Sequence, residues 1–153
     1  MLSILKDAQL CPKGFTWFGG IDRQEIELWL ESAGLSAPSD VIELWRLTGG
    51  GDLFDDSETI FRPTSISSAM HFFLAGDDVD SATAWRNEKG MPNGYLAFHN
   101  GLTLSVIRQS GPKIVTLDER FHETGEFSGV DDWYLRTLRA CYAELYGLPE
   151  RLP

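Results

Sequence analysis

Across its 153 residues the chain sets 13 Lys and Arg against 23 Asp and Glu, a formal charge of −10. That balance repels nucleic-acid phosphates and anionic membrane and attracts basic proteins. With 42% hydrophobic and 24% charged residues, the composition excludes a disordered chain and fits one domain over residues 1–153.

The N-terminal "MLSILKDAQL" has a short apolar run with Lys6 behind it. That is the wrong order and length for a secretory signal. No stretch approaches the roughly 18 apolar residues of a membrane span. Cys11 and Cys141 have no CxxC partner, so reduced thiols and a cytoplasmic location are expected.

A first helix is expected over "DRQEIELWLESAG". Asp22 can cap it with Glu25 three residues on, Ile26, Trp29, Leu30 and Ala33 share a face, and Gly34 ends it. A second is expected over "PSDVIELWRLTGG", with Pro38 in its first turn, Val41, Leu44, Trp45 and Thr48 on one face, and Gly49 as the left-handed stop. "ETIFRP" reads as a short strand stopped by Pro63, and "SISSAMHFFLAG" as a short helix or turn. "DSATAWRNEKG" reads as a further helix ending at Gly90. Tyr95–His99, Leu102–Arg108 and Lys113–Leu117 read as three strands. Asn100-Gly101 gives a two-residue hairpin signal, and Ser110-Gly111-Pro112 marks a second turn. "SGVDDWYLRTLRACYAELYG" closes the chain as a helix capped by Ser128. Its buried stripe is expected at Val130, Trp133, Leu138, Cys141, Tyr142 and Leu145. Helices and strands do not alternate regularly, so the expected class is α+β: a mostly antiparallel meander with helices packed on it.

The glycines of "TGGG", Gly49 to Gly51, invite a phosphate-loop reading, which the chemistry rejects. A phosphate loop follows a strand and supplies a lysine, whereas these glycines follow a helix and precede Asp52, Asp55 and Asp56. A structural corner is expected instead. His71, His99 and His122 stand apart, with no metal-ligand spacing. No GxSxG elbow occurs. "DDVDSATAW" fails as a calcium loop, having Val79 at its third position and Ala82 at its sixth. No enzyme activity, metal or cofactor is therefore expected.

The acidic charge is concentrated. Between residues 52 and 80 lie Asp52, Asp55, Asp56, Glu58, Asp77, Asp78 and Asp80 against one base, Arg62, a net of 1 − 7 = −6. Carboxylates so gathered can solvate a surface, or can recognise a basic protein partner. The second reading makes these seven the candidate partner-binding residues.

The order of these segments resembles the SUKH superfamily, the cell-wall-regulator-like and toxin-immunity domains. The likeness covers about residues 22–140. It is carried by Leu35, Pro38, Leu44, Trp45, Gly49 and Gly50 in "GLSAPSDVIELWRLTGGGDLF", and by Gly94, Tyr95, Phe98 and Gly101 in "GYLAFHNG". The strand "GPKIVTLDE" follows, and Phe127, Ser128, Asp132 and Trp133 match in "EFSGVDDWYLRTL". Thr48 stands where the family often has Asn, and Ala37 interrupts the usual Leu-Pro pair. The resemblance implies a non-catalytic α+β domain. It also implies an immunity protein that binds and neutralises a cognate bacterial toxin, often a basic nuclease. A regulatory or scaffold domain of the same fold is the alternative.

Overall fold

The structure is a computed structural model that describes residues 1–63 and 78–150. Its centre is a seven-stranded sheet whose spatial order equals its chain order, every neighbour antiparallel. The strands are β1 (Phe15–Trp17), β2 (Gly51–Leu53), β3 (Glu58–Ile60), β4 (Tyr95–Asn100), β5 (Leu104–Arg108), β6 (Lys113–Leu117) and β7 (Glu123–Phe127). The helices are α1 (Ser3–Leu10), α2 (Arg23–Ala33), α3 (Ser39–Thr48), α4 (Val79–Glu88), α5 (Val130–Arg136) and α6 (Leu138–Tyr142). This is the α+β meander expected from the sequence. The segment "SISSAMHFFLAG" lies outside the described residues.

Local chemistry accounts for the helix ends. Asp22 accepts the Gln24 amide at 2.8 Å, and Gly34 closes α2 in the left-handed region. Pro38 is the residue before α3 rather than its first turn, and Gly49 closes α3 at φ 70°. The last helix departs from expectation. Its cap position is Gly129, not Ser128, and the helix breaks at Thr137, φ −107° and ψ −83°. The break resets the helical phase, so the stripe drawn through both halves fails. Val130, Trp133 and Leu138 are buried and Tyr142 half-buried, but Cys141 is exposed and Leu145 is 78% exposed.

The "TGGG" corner is a site of backbone against backbone. A Cβ on Gly49 would lie 1.9 Å from the Gly19 carbonyl oxygen, and one on Gly50 would lie 2.5 Å from that of Ile60. The Phe18 amide donates to the Gly50 carbonyl and the Gly19 amide to that of Thr48, both at 2.9 Å. Three chain segments meet there at distances that no side chain allows.

The main core lies between sheet and helices. Ile26, Leu44, Trp45, Ile60, Phe98, Ile107, Ile114 and Trp133 are all buried in it. Strands β5 and β6 alternate as a pleat requires. Ile107 opposite Ile114 faces this core, and Val106 opposite Val115 joins a second cluster with Met91 and Leu117. A bulge in β4 between Ala97 and His99 interrupts that alternation. Phe98 and the adjacent His99 both meet Trp133, at ring separations of 4.9 and 5.2 Å.

Candidate functional site

The β2–β3 turn carries the aspartates that the charge pattern singles out. Leu53 pairs with Glu58, leaving residues 54 to 57 as the loop. Phe54, Asp55 and Asp56 have φ of 54°, 57° and 62°. L-residues pay about 1–2 kcal/mol each for the left-handed conformation. The turn is held against that cost from beneath. Phe54 is buried and stacks on Tyr142, with centroids 4.3 Å apart and planes 8° from parallel. Its amide donates to the Gly14 carbonyl at 2.7 Å. The Tyr146 hydroxyl donates to Asp55 Oδ2 at 2.6 Å, and that bond, with some burial, pushes the phenol up to about 12. Asp55 and Asp56 are left exposed on an immobilised turn. Asp52 is half-buried in β2 and accepts from the Thr59 hydroxyl opposite it, at 2.7 Å.

Glu58 does not belong to that surface, which corrects the sequence expectation. Its side chain is 1% exposed and pairs with the fully buried His99, Nε2 to Oε1 at 2.9 Å. The Leu102 amide donates to Glu58 at 3.0 Å and the Tyr142 hydroxyl at 3.1 Å. On the other side of the ring, His99 Nδ1 lies 2.9 Å from Ser105 Oγ, which accepts the Trp133 indole N–H at 2.9 Å. With the Glu58 carboxylate as acceptor at Nε2, the tautomer that satisfies both ring nitrogens has the Ser105 hydroxyl donating to Nδ1. The neutral imidazole then carries its proton on Nε2 and donates it to Glu58. Burial pushes His99 below its ordinary range, with the Glu58 hydrogen bond acting the other way.

Serine, histidine and carboxylate in series have the outline of a nucleophile relay. Here Ser105, His99 and Glu58 are all sealed from solvent, and the serine oxygen is occupied by the tryptophan N–H. The arrangement can lock three strands together and offers no path for a substrate. Nothing in the spacing of positions 58, 99 and 105 announces it. Only the hairpin pairing of His99 with Ser105 brings two of the three together.

Gly101 belongs to this network. The Asn100-Gly101 signal does mark a hairpin, but Asn100 pairs with Leu104, so the loop has three residues rather than two. A Cβ on Gly101 would fall 2.2 Å from Glu58 Oε1. The glycine makes room for the buried carboxylate.

The remaining acids divide as well. Asp78 is buried and serves as the cap of α4, accepting the Ser81 amide at 3.0 Å, so it too is removed from the expected docking surface. Its charge is spent on the helix N-terminus. Asp80 stays accessible, and its Oδ2 accepts the Trp29 indole N–H at 3.1 Å. Asp77 lies outside the described residues. The structure thus presents Asp55 and Asp56 against α6 and its tail, and Asp80 against α2, as separate acidic points.

The positive side chains are largely engaged within the chain. Arg108 pairs with Glu123 and Glu126, Arg23 with Glu27 and Glu43, and Arg136 with Asp132. Arg86 is buried and donates to the His99 and Ser105 carbonyls, and burial lowers it to about 10. Among the described residues no group of three or more His, Cys, Asp or Glu is arranged to hold a metal ion. No helix among them is long and apolar enough to cross a membrane. No protein-family model matches the chain, and no curated protein matches it either.

Proposed function

We propose that this chain is a non-catalytic, immunity-type module that binds and neutralises a basic toxin domain. The observation that carries the reading is the β2–β3 turn. Two aspartates are held exposed in left-handed backbone by a buried aromatic stack and a tyrosine hydrogen bond, on a chain of charge −10. Strained conformations persist where the surroundings over-determine them, and such places tend to be recognition surfaces. An acidic, rigid turn steers a cationic partner and loses little entropy on docking. The resemblance to the SUKH domains supplies the toxin as the class of partner.

The test is co-expression of the chain with the toxin domain encoded beside it. Protection of the cells and a complex that purifies intact are expected. The double change Asp55→Lys and Asp56→Lys should slow association by about tenfold at low salt, and salt should then matter less. Failure to protect, or an association rate indifferent to the reversal, removes the proposal.

A further inference from the structure

On the side of the molecule held by α2, one face of α4 looks into an open groove of about 350 Å³. Asp80, Thr83, Ala84 and Asn87 follow the i, i+3, i+4, i+7 rhythm of a single helix face. Leu35 and Leu96 give the groove apolar lining, and Asn93 and Gln109 line it as well. The walls are fixed by bonds of their own. The Gln109 amide both accepts from the Ser36 amide at 2.8 Å and donates to its carbonyl at 3.0 Å, pinning the α2–α3 loop to β5. Thr83 Oγ1 accepts the Ala97 amide at 2.8 Å, tying α4 to β4.

Among the lining residues Asp80 is the single charge. Trp29 donates to its Oδ2, and no side chain of the described residues bonds its other oxygen. No cation among the described residues lies within ion-pairing distance of it. Burial, and then the neighbouring Asp78 charge, hold its carboxyl above the usual range, a state that a bound cation relieves. The Asn87 and Asn93 side-chain amides make no hydrogen bond among the described residues and line the same groove as further acceptors.

We propose that this groove receives an arginine side chain of the basic partner. Its guanidinium would lie against the Asp80 carboxylate, and its plane along the apolar wall. Arginine fits better than lysine. A guanidinium has five donors in one plane for a carboxylate and two amides, and it is weakly hydrated, so an apolar wall costs it little. The inference rests on the partner being basic, and it adds a second contact point far in sequence from the β2–β3 turn.

The test uses the full chain, ¹⁵N-labelled, titrated with N-acetyl-arginine amide and separately with the neutral N-acetyl-citrulline amide. The Trp29 indole N–H, which donates to Asp80, is the reporter. A saturable shift of this signal and of the Asn87 and Asn93 amides is expected with the arginine compound, with Kd about 1–10 mM. The citrulline compound should bind at least about tenfold more weakly. Asp80→Asn should weaken the arginine titration to the same degree, and Ala84→Phe should block it by filling the groove while leaving Asp80 in place. Equal shifts with citrulline, an unmoved Trp29 signal at about 100 mM, or an unchanged titration in Ala84→Phe each overturn the site. No toxin is present in this experiment. Silence here with cells still protected overturns the groove alone, whereas binding here without protection overturns the toxin reading alone.

Discussion

His99 donates to Glu58 from a position where neither side chain meets solvent, at 2.9 Å. The pair joins β4 to β3, reaches β5 through Ser105 and α6 through Tyr142, and is supported by the Leu102 amide. Truncating Glu58 to Ala leaves several buried donors without a partner at once. A loss of about 2–4 kcal/mol in urea unfolding is expected, with Glu58→Gln losing less. Equal losses in the two variants would show that side-chain volume, not acceptance of these bonds, holds the site.

The pH dependence follows from the direction of the His99 shift. Burial lowers its folded pKa below the ordinary 6.5. The unfolded chain therefore binds a proton near pH 6.5 that the folded chain refuses. The stability is complete above that pH and falls as the pH drops below it toward the folded value. Glu43, Asp118 and Glu126, also lowered, act from below about 4.5 and do not share this window. The urea midpoint should decline between pH 7.5 and pH 5.5, and the decline should be smaller in His99→Gln. A flat profile in the parent chain rejects the neutral, buried imidazole.

Gly101→Ala tests the close approach directly. The added methyl meets Glu58 Oε1 at 2.2 Å, and a cost of about 1–3 kcal/mol is expected from overpacking. In a Glu58→Ala background the same methyl should cost much less, because its obstacle is gone. Additive losses would assign the glycine's role to backbone freedom rather than to the carboxylate.

On the same helix α6 as Tyr142, Arg139 bonds the buried Asp7 through Nε, and the Tyr134 hydroxyl bonds it too, each at 2.7 Å; Arg139 also donates to the Pro149 carbonyl. Arg139→Met should destabilise the fold by about 3–5 kcal/mol by removing this ion pair from a buried carboxylate. Adding Asp7→Asn should recover part of that loss, and a double variant no better than the single one contradicts the charge argument.

Tyr146 provides a reading of the acidic turn in solution. Its phenol is pushed to about 12 chiefly by the bond to Asp55. In an ultraviolet titration of the phenolate, Asp55→Asn should let Tyr146 ionise nearer the ordinary 10.0, with Tyr146→Phe identifying its share of the signal. An unchanged curve means that the turn is not held as described.

Much of the framework was legible because it is written in local chemistry. Asp22 marks a helix start by the acceptor it supplies, Gly34 and Gly49 mark helix ends by their backbone angles, and apolar runs stand on either side of the Asn100-Gly101 turn. The missed strands lack any such mark. Strands β1 and β2 have three residues each, and β7, "ETGEF", exposes two glutamates and contains a glycine. Helix α1 has no side-chain cap to announce it. The acidic cluster misled for a related reason. Sequence counts charges, but Glu58 is buried in bonds from His99, Leu102 and Tyr142 and Asp78 caps a helix, and these partners cannot be read from the charge count. The stripe through Cys141 and Leu145 failed at a single backbone break that no residue at position 137 advertises.

The Asp7–Arg139 bond spans 132 positions. During synthesis those 132 positions must be added after Asp7 before Arg139, a cation that bonds this buried carboxylate, is made. Until then α1 must stay hydrated and undocked, because burying an unpaired carboxylate is costly. The sheet can assemble hairpin by hairpin as the chain lengthens, since its order follows the chain. Helix α1 instead waits for α6 to latch it, although its own residues precede every strand of the sheet.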